Sequence, residues 1–331
     1  MRALVFTGPG RAEVQDVPEP SAGPGQVIVE VERVGVCGTD VELFTGEMSY
    51  LHTGAASYPL RPGHEWSGTV IATGQGVEES WSGRRVTGDT MIGCGDCARC
   101  RAGRHHVCPA RHELGCRDGL PGALAERLTF PAAYLHALPD AVDATLGALV
   151  EPGGNALRAV RAAAVAPGER LLILGTGTIG LLAAMFGKAL GAEVHLLGLT
   201  GEPLAEAPVW TRETLPDLAW DGIVDATNAA VMPGLAVELV EPGRTVVYIG
   251  LSGAPSMVDT REIVLKDVTT VGILGASSGL AGAITAYAEK EADPRGLVAG
   301  TVSLEEIVDV LAGKRPDGSG PGPKFHADPR L

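Results

Sequence analysis

The 331-residue chain is long enough for about two domains of ordinary size. Its composition, 45% hydrophobic and 20% charged, is far from that of a disordered polypeptide. The 40 Asp plus Glu outnumber the 26 Lys plus Arg and leave a formal charge of −14, which repels phosphate backbones and anionic membrane surfaces and argues against nucleic acid as a partner.

In chain order, MRALVFTG, VIVEVERVGVCG and GTVIATG read as short strands between Gly and Pro corners, an all-β pattern that runs to about residue 140. The N-terminal segment holds no apolar run long enough for a secretion signal, so a cytoplasmic, reducing setting is expected. From Pro152 onward, Ala- and Leu-rich stretches alternate with the apolar runs RLLILG, AEVHLLG, DGIVDAT and TVVYIG, the pattern of βαβ units around a parallel sheet. The boundary falls near Glu151, which divides the chain into a first domain over 1–150 and a second over 151–293. Residues 294–331, with the helical LEEIVDVLAG and the closing PKFHADPRL, are too few to fold alone and are expected to complete the first domain. The uncharged stretch Val268–Ala288 is broken by Gly272, Gly275, Gly279 and Gly282, which predicts a strand followed by a helix rather than a membrane span.

Four of the six cysteines, Cys94, Cys97, Cys100 and Cys108, occupy one segment with C-x2-C-x2-C-x7-C spacing. Such spacing lets a tight loop wrap four thiolates round a structural zinc ion, with no position left for substrate. Disulfides are the alternative, disfavoured in a reducing compartment, and a nucleic-acid-binding ribbon is disfavoured by the acidic charge. Cys37 in GVCGTD and His64 in RPGHEWSG supply half of a second site. A carboxylate, with Glu151 of VEPGGN as candidate, would complete three ligands and leave a fourth position open, the catalytic arrangement. Taken singly, Cys37 reads as a small buried hydrophobe, His64 as a core histidine and Glu151 as a surface charge; their combination with a nucleotide motif favours a metal. Cys116 reads as a structural thiol, and His112 and Glu113 receive no role.

That motif is LLILGTGTIG, in which Gly175, Gly177 and Gly180 form G-x-G-x-x-G directly after an apolar strand and before a helical run. The first glycine makes the turn, the second admits a pyrophosphate, and the third allows close helix packing. Thr178 and Ile179 open the helix. The next strand, AEVHLLG, ends in Gly198, Leu199 and Thr200 where an acidic residue would grip the ribose of NAD. Both NAD and NADP therefore remain admissible.

GVCGTD, GHEWSG, the four-cysteine lobe, EP at 151 and 152, and GTGTIG, in this order, resemble the zinc-dependent medium-chain dehydrogenase/reductase family over nearly the whole chain. The resemblance implies an α/β architecture: a GroES-like β domain with a structural zinc lobe, and a Rossmann domain with a doubly wound parallel sheet. The GHE motif and the later Glu resemble the polyol, sugar and threonine dehydrogenase branch, and the segments after GHEW are similar to aminocyclitol dehydrogenases of the deoxy-scyllo-inosamine type. Carried over residue by residue, catalytic zinc ligation falls on Cys37, His64 and Glu151, with Glu65 as an exchanging ligand or supporting group. Thr39 falls on the hydroxyl that starts the proton relay and Asp40 on the carboxylate that orients His64. Where many relatives place a relay histidine this chain has Glu42, and where they carry a bulky ring it has Ala123, which predicts a wider pocket. Thr227, Gly250, Leu251 and Leu274 fall at strand ends beside the nicotinamide. The implied activity is hydride transfer between NAD or NADP and a secondary alcohol of a polyol, sugar-like or aminocyclitol substrate, in a homodimer or homotetramer. The alternatives are an NADPH-driven carbonyl reductase on the same scaffold and a zinc-containing binding protein without turnover. Glu47, Ser49, Tyr50, His52, Arg117 and Asp118 are the polar groups either facing such a substrate or lying in a solvated loop.

Overall fold

The computed structural model describes residues 1–199 and 206–331, which fall into two compact units. The first comprises Met1–Glu151 and Arg295–Leu331, the second Pro152–Pro294. Glu151 thus closes the first unit instead of opening the second.

The first unit is built on a sheet whose strands run in the order Val298–Val302, Lys324–Ala327, Gln26–Gly35, Glu65–Thr73, Arg85–Gly88 and Leu135–Ala137, with Arg127–Pro131 also paired to Gln26–Gly35. Alternating Val27, Val29 and Val31 send one face of the long strand into a core shared with Leu4, Trp66, Leu124 and Phe130, all fully buried. Trp66 and Phe130 meet edge to face at 5.1 Å. The chain end returns as Lys324–Ala327, antiparallel to Gln26–Gly35, so residues 324–327 are an interior strand of this unit. The LEEIVDVLAG segment is helical only over Ile307–Leu311.

The N-terminal region departs from an all-β reading at one place that matters. Residues Gly38–Thr45 form a helix, because the Asp40 carboxylate accepts the Cys37 backbone N–H at 2.9 Å and nucleates the first turn. Strand propensity in the preceding VERVGV hides this local capping signal. Ala123, expected to widen a pocket, is fully buried in the core.

The second unit holds a six-stranded, wholly parallel sheet in the order Val209–Trp210, Glu193–Leu197, Arg170–Leu174, Trp220–Asp225, Val240–Tyr248, Thr269–Gly272. Numbered within the unit this is 3-2-1-4-5-6, the Rossmann order, whose reversal beside the first strand creates a crevice for a ligand. The short stretch after residue 205 still supplies a third strand, and Trp210 donates its indole N–H to His195 at 3.0 Å. Val268–Ala288 contains the edge strand Thr269–Gly272 and the helix Leu280–Ala288, and no helix among the described residues is long and apolar enough to cross a membrane.

The helix Thr178–Ala189 packs on the first strand through Gly180, where an added Cβ would lie 2.0 Å from the carbonyl oxygen of Gly175. Neither backbone has a side chain's freedom to yield. Gly180→Ala is expected to destabilise the protein by about 2 kcal/mol, as overpacking against rigid atoms does, measured by urea denaturation; an unchanged midpoint would contradict this packing.

Candidate active site and nucleotide turn

The ligand atoms of Cys37, His64 and Glu65 lie within 4.8 Å of one another. Two chain segments build this group: the start of the helix Gly38–Thr45 and the entry to the strand Glu65–Thr73. Asp40 ties them together. One of its oxygens accepts the Cys37 N–H at 2.9 Å, and the other accepts the Gly63 N–H at 3.1 Å and sits 3.6 Å from Nδ1 of His64. Burial alone would raise the Asp40 carboxyl, yet His64 and the two amides hold it below its usual range. The imidazole is therefore fixed by a carboxylate on one side, as a metal-binding histidine is. Cys116, which has no partner in sequence, places its sulfur 3.4 Å from the same Nδ1.

Glu65 is 1% exposed, and both its oxygens receive hydrogen bonds from Nζ of Lys324, at 2.8 and 2.6 Å. Lys324 also donates to the carbonyl of Val36 at 2.9 Å, beside Cys37. The carboxylate grouped with Cys37 and His64 is thus already paired with a buried ammonium. Glu151 is buried in the first turn of the helix Val150–Ala163 and lies outside the 4.8 Å group. Thr39 occupies the first turn of the helix Gly38–Thr45, and Glu42 follows it by three residues, on the same face. Burial, with Glu47 nearby, pushes the Glu42 carboxyl up.

The sulfurs of Cys94, Cys97, Cys100 and Cys108 form a second group within 4.8 Å. Cys97 and Cys108 are 3.8 Å apart. A disulfide needs about 2.05 Å, whereas four thiolates at about 2.3 Å from one zinc ion stand about 3.8 Å apart. The geometry fits zinc. The Cys100 amide, 3.4 Å from the Cys97 sulfur, draws that thiol down to about 6 and favours the thiolate a metal requires.

In the second unit, Gly175 adopts a φ of 105°, in the left-handed region that favours glycine, and Gly177 caps the following helix with open space where a Cβ would stand. Helix N-terminus and bare backbone together fit a pyrophosphate. Thr178 and Ile179 occupy the first turn. The methyl of Thr227 lies 3.2 Å from a Cβ built on Gly175, and a Cβ on Gly250 would meet the carbonyl of Thr227 at 1.7 Å, so these strand ends converge. Leu251 and Leu274 are exposed beyond the ends of their strands. Gly198 donates to Trp210 and Leu199 is exposed, while Thr200 lies outside the described residues. Asp225, absent from the sequence-level candidates, is buried at the end of its strand and holds the amide and hydroxyl of Thr227 at 3.0 and 2.7 Å.

Residues 23–140 match the alcohol dehydrogenase GroES-like domain. An L-threonine 3-dehydrogenase of Saccharopolyspora erythraea is 32% identical over 293 residues, which span 83% of this chain and 84% of the relative. This chain belongs to the zinc-dependent medium-chain dehydrogenase family. The L-galactonate-5-dehydrogenase of Escherichia coli is 31% identical over 272 residues, 76% of this chain and 77% of that one. The alcohol dehydrogenase of Thermus sp. ATN1 superposes with a TM-score of 0.89 at 25% identity over 99% of both chains. The protein is an alcohol or polyol dehydrogenase using zinc and NAD or NADP.

Of the loop residues named from sequence, Tyr50 of this dehydrogenase bonds through its hydroxyl to Glu113 at 3.0 Å, and Arg117 lies over the Tyr50 ring. Arg117 also pairs with Asp118 at 3.0 Å, while Ser49 and His52 are exposed. Lys324 escaped the sequence reading. Its one available signal was a lysine set in the apolar closing strand KFHA. Lys324→Met removes the counter-ion of a buried carboxylate and is expected to lower stability by about 3 kcal/mol, measured on the zinc-loaded enzyme by thermal or urea denaturation. Stability equal to wild type would mean that Glu65 has another partner.

Proposed function

We propose that the enzyme oxidises a secondary alcohol of a polyol or sugar-like molecule, aminocyclitols included, to the ketone with NAD or NADP as hydride acceptor. The observation that supports this most is the convergence of Cys37, His64 and Glu65 around the Asp40 clamp in a chain that also carries the glycine turn. Cys37 and His64 would hold the catalytic zinc together with one carboxylate, Glu151 or Glu65, the latter being tied to Lys324. Zinc, when bound, acts as a Lewis acid that makes a neutral-pH hydroxyl acidic enough to lose its proton. Asp40 keeps the imidazole of His64 in the orientation that binding needs. Thr39 would hydrogen-bond the substrate oxygen and start the proton relay, its hydroxyl accepting the substrate proton only as it passes its own onward toward solvent. The glycine turn positions the dinucleotide phosphates on the helix N-terminus, with Thr227 and Gly250 beside the nicotinamide half. The four-cysteine lobe has a structural role. Relatives that act on threonine and galactonate support a hydroxylated substrate, and a homodimer or homotetramer in the cytoplasm is the setting proposed.

Metal analysis combined with a reduced-nicotinamide absorbance assay over polyols, sugars and aminocyclitols tests this reading. Cys37→Ser is expected to lose the zinc of its own site and about 100- to 1,000-fold in kcat, the size of a lost electrostatic catalyst, while retaining the lobe zinc and wild-type circular dichroism. Cys97→Ser is expected to lose the lobe zinc and chiefly stability. Equal loss of fold in both variants would overturn this division of roles.

A further inference from the structure

Several charged groups around the cluster of Cys37, His64 and Glu65 are paired. Glu65 meets Lys324, Asp40 faces His64, Arg111 pairs with Glu113 at 2.8 Å, and Arg117 pairs with Asp118 at 3.0 Å. Arg61 has no such partner. Its Nε is buried without a hydrogen-bond acceptor, and among the described residues no carboxylate neighbours its guanidinium, although the chain carries 40 acidic residues. Burial alone, with nothing to offset it, brings the guanidinium down to about 10. A buried donor left unpaired is an expense that native structures rarely tolerate without a reason.

Arg61 also stands close to the cluster along the chain. It precedes His64 by three residues, so the two Cα atoms lie within about 11 Å even if the chain between them is fully extended. That short stretch is also held in place. The Gly122 amide donates to the Arg61 carbonyl at 2.8 Å and the Leu124 amide to the Pro62 carbonyl at 3.1 Å. A Cβ on Gly115 would lie 2.8 Å from the Gly63 carbonyl oxygen, which leaves the backbone of residues 61–64 little room to move. A planar guanidinium on a fixed backbone presents a fork that matches the two oxygens of a carboxylate or phosphate, and a neutral hydroxyl offers it far less.

We propose that Arg61 binds an anionic group, carboxylate or phosphate, on the substrate whose secondary hydroxyl is oxidised. This rests on the function proposed above and narrows it from polyols in general to polyols bearing one negative charge.

The test compares three six-carbon compounds on the zinc-loaded enzyme: galactitol, which is neutral, L-galactonate, which carries a carboxylate, and galactitol 1-phosphate. Turnover with NAD and NADP and dissociation constants from calorimetry are measured for wild type, Arg61→Met, Arg61→Gln and Arg61→Lys. In the wild type, kcat/KM for at least one anion is expected to exceed that for galactitol about 10- to 100-fold, the range of a charge-assisted bidentate contact, and the better of the two anions identifies the group. Arg61→Met and Arg61→Gln are expected to bring the ratio close to one, and Arg61→Lys to keep part of it. An absent preference in the wild type, or one that survives in Arg61→Met or Arg61→Gln, would overturn the assignment. If no compound is turned over, the proposed oxidation fails for this panel, and calorimetry still decides the role of Arg61. Tighter binding of an anion than of galactitol, lost in Arg61→Gln, supports it; equal binding of all three overturns it.

Discussion

The Asp40 carboxylate is the constraint on which the cluster of Cys37, His64 and Glu65 depends. Its two oxygens take one amide from each of two segments, those of Cys37 and Gly63, and the same group faces the imidazole of His64. A fully buried carboxylate is costly unless its lone pairs are used and its charge is met. Here those requirements are satisfied only when the start of a helix and the entry to a strand lie side by side. One buried charge therefore both nucleates the helix Gly38–Thr45 and brings the Cys37 sulfur and the His64 imidazole together.

The Glu65–Lys324 pair extends the same logic to the far end of the chain. Lys324 belongs to a strand whose neighbours in the sheet are Val298–Val302 and Gln26–Gly35, so residues 324–327 are structural members of the unit that holds Cys37, His64 and Glu65. Because Nζ also binds the Val36 carbonyl, it reaches both the GHE segment and the residue beside Cys37. In the second unit the corresponding constraint is steric. At Gly180 and Gly250 a side chain larger than hydrogen would collide with the backbone of Gly175 and Thr227. That closeness leaves the amides of the turn open to a phosphate.

Much of this was legible in the residue pattern. The C-x2-C-x2-C-x7-C lobe, the glycine turn after RLLILG and the run of parallel strands are local features, each readable within a short window. The helix after Cys37 was less legible, because a strand-like VERVGV leads straight into it and the capping contact comes from a side chain three residues on. Lys324, Cys116 and Asp225 were not legible as site residues. Each acts through one partner distant in sequence or through a turn whose shape the sequence does not spell out.

The sequence by itself determined the metal-binding and nucleotide-binding chemistry, since both rest on residue type and spacing within short segments, together with the alternation of strand and helix that calls for a parallel sheet. Tertiary structure alone decided which carboxylate stands beside Cys37 and His64, and which cations near them are already paired. The physical reason is that charge compensation is a property of distance in space. Residues 65 and 324 are far apart along the chain and in contact in the fold, while Arg61, three positions from His64, has no counter-ion among the described residues.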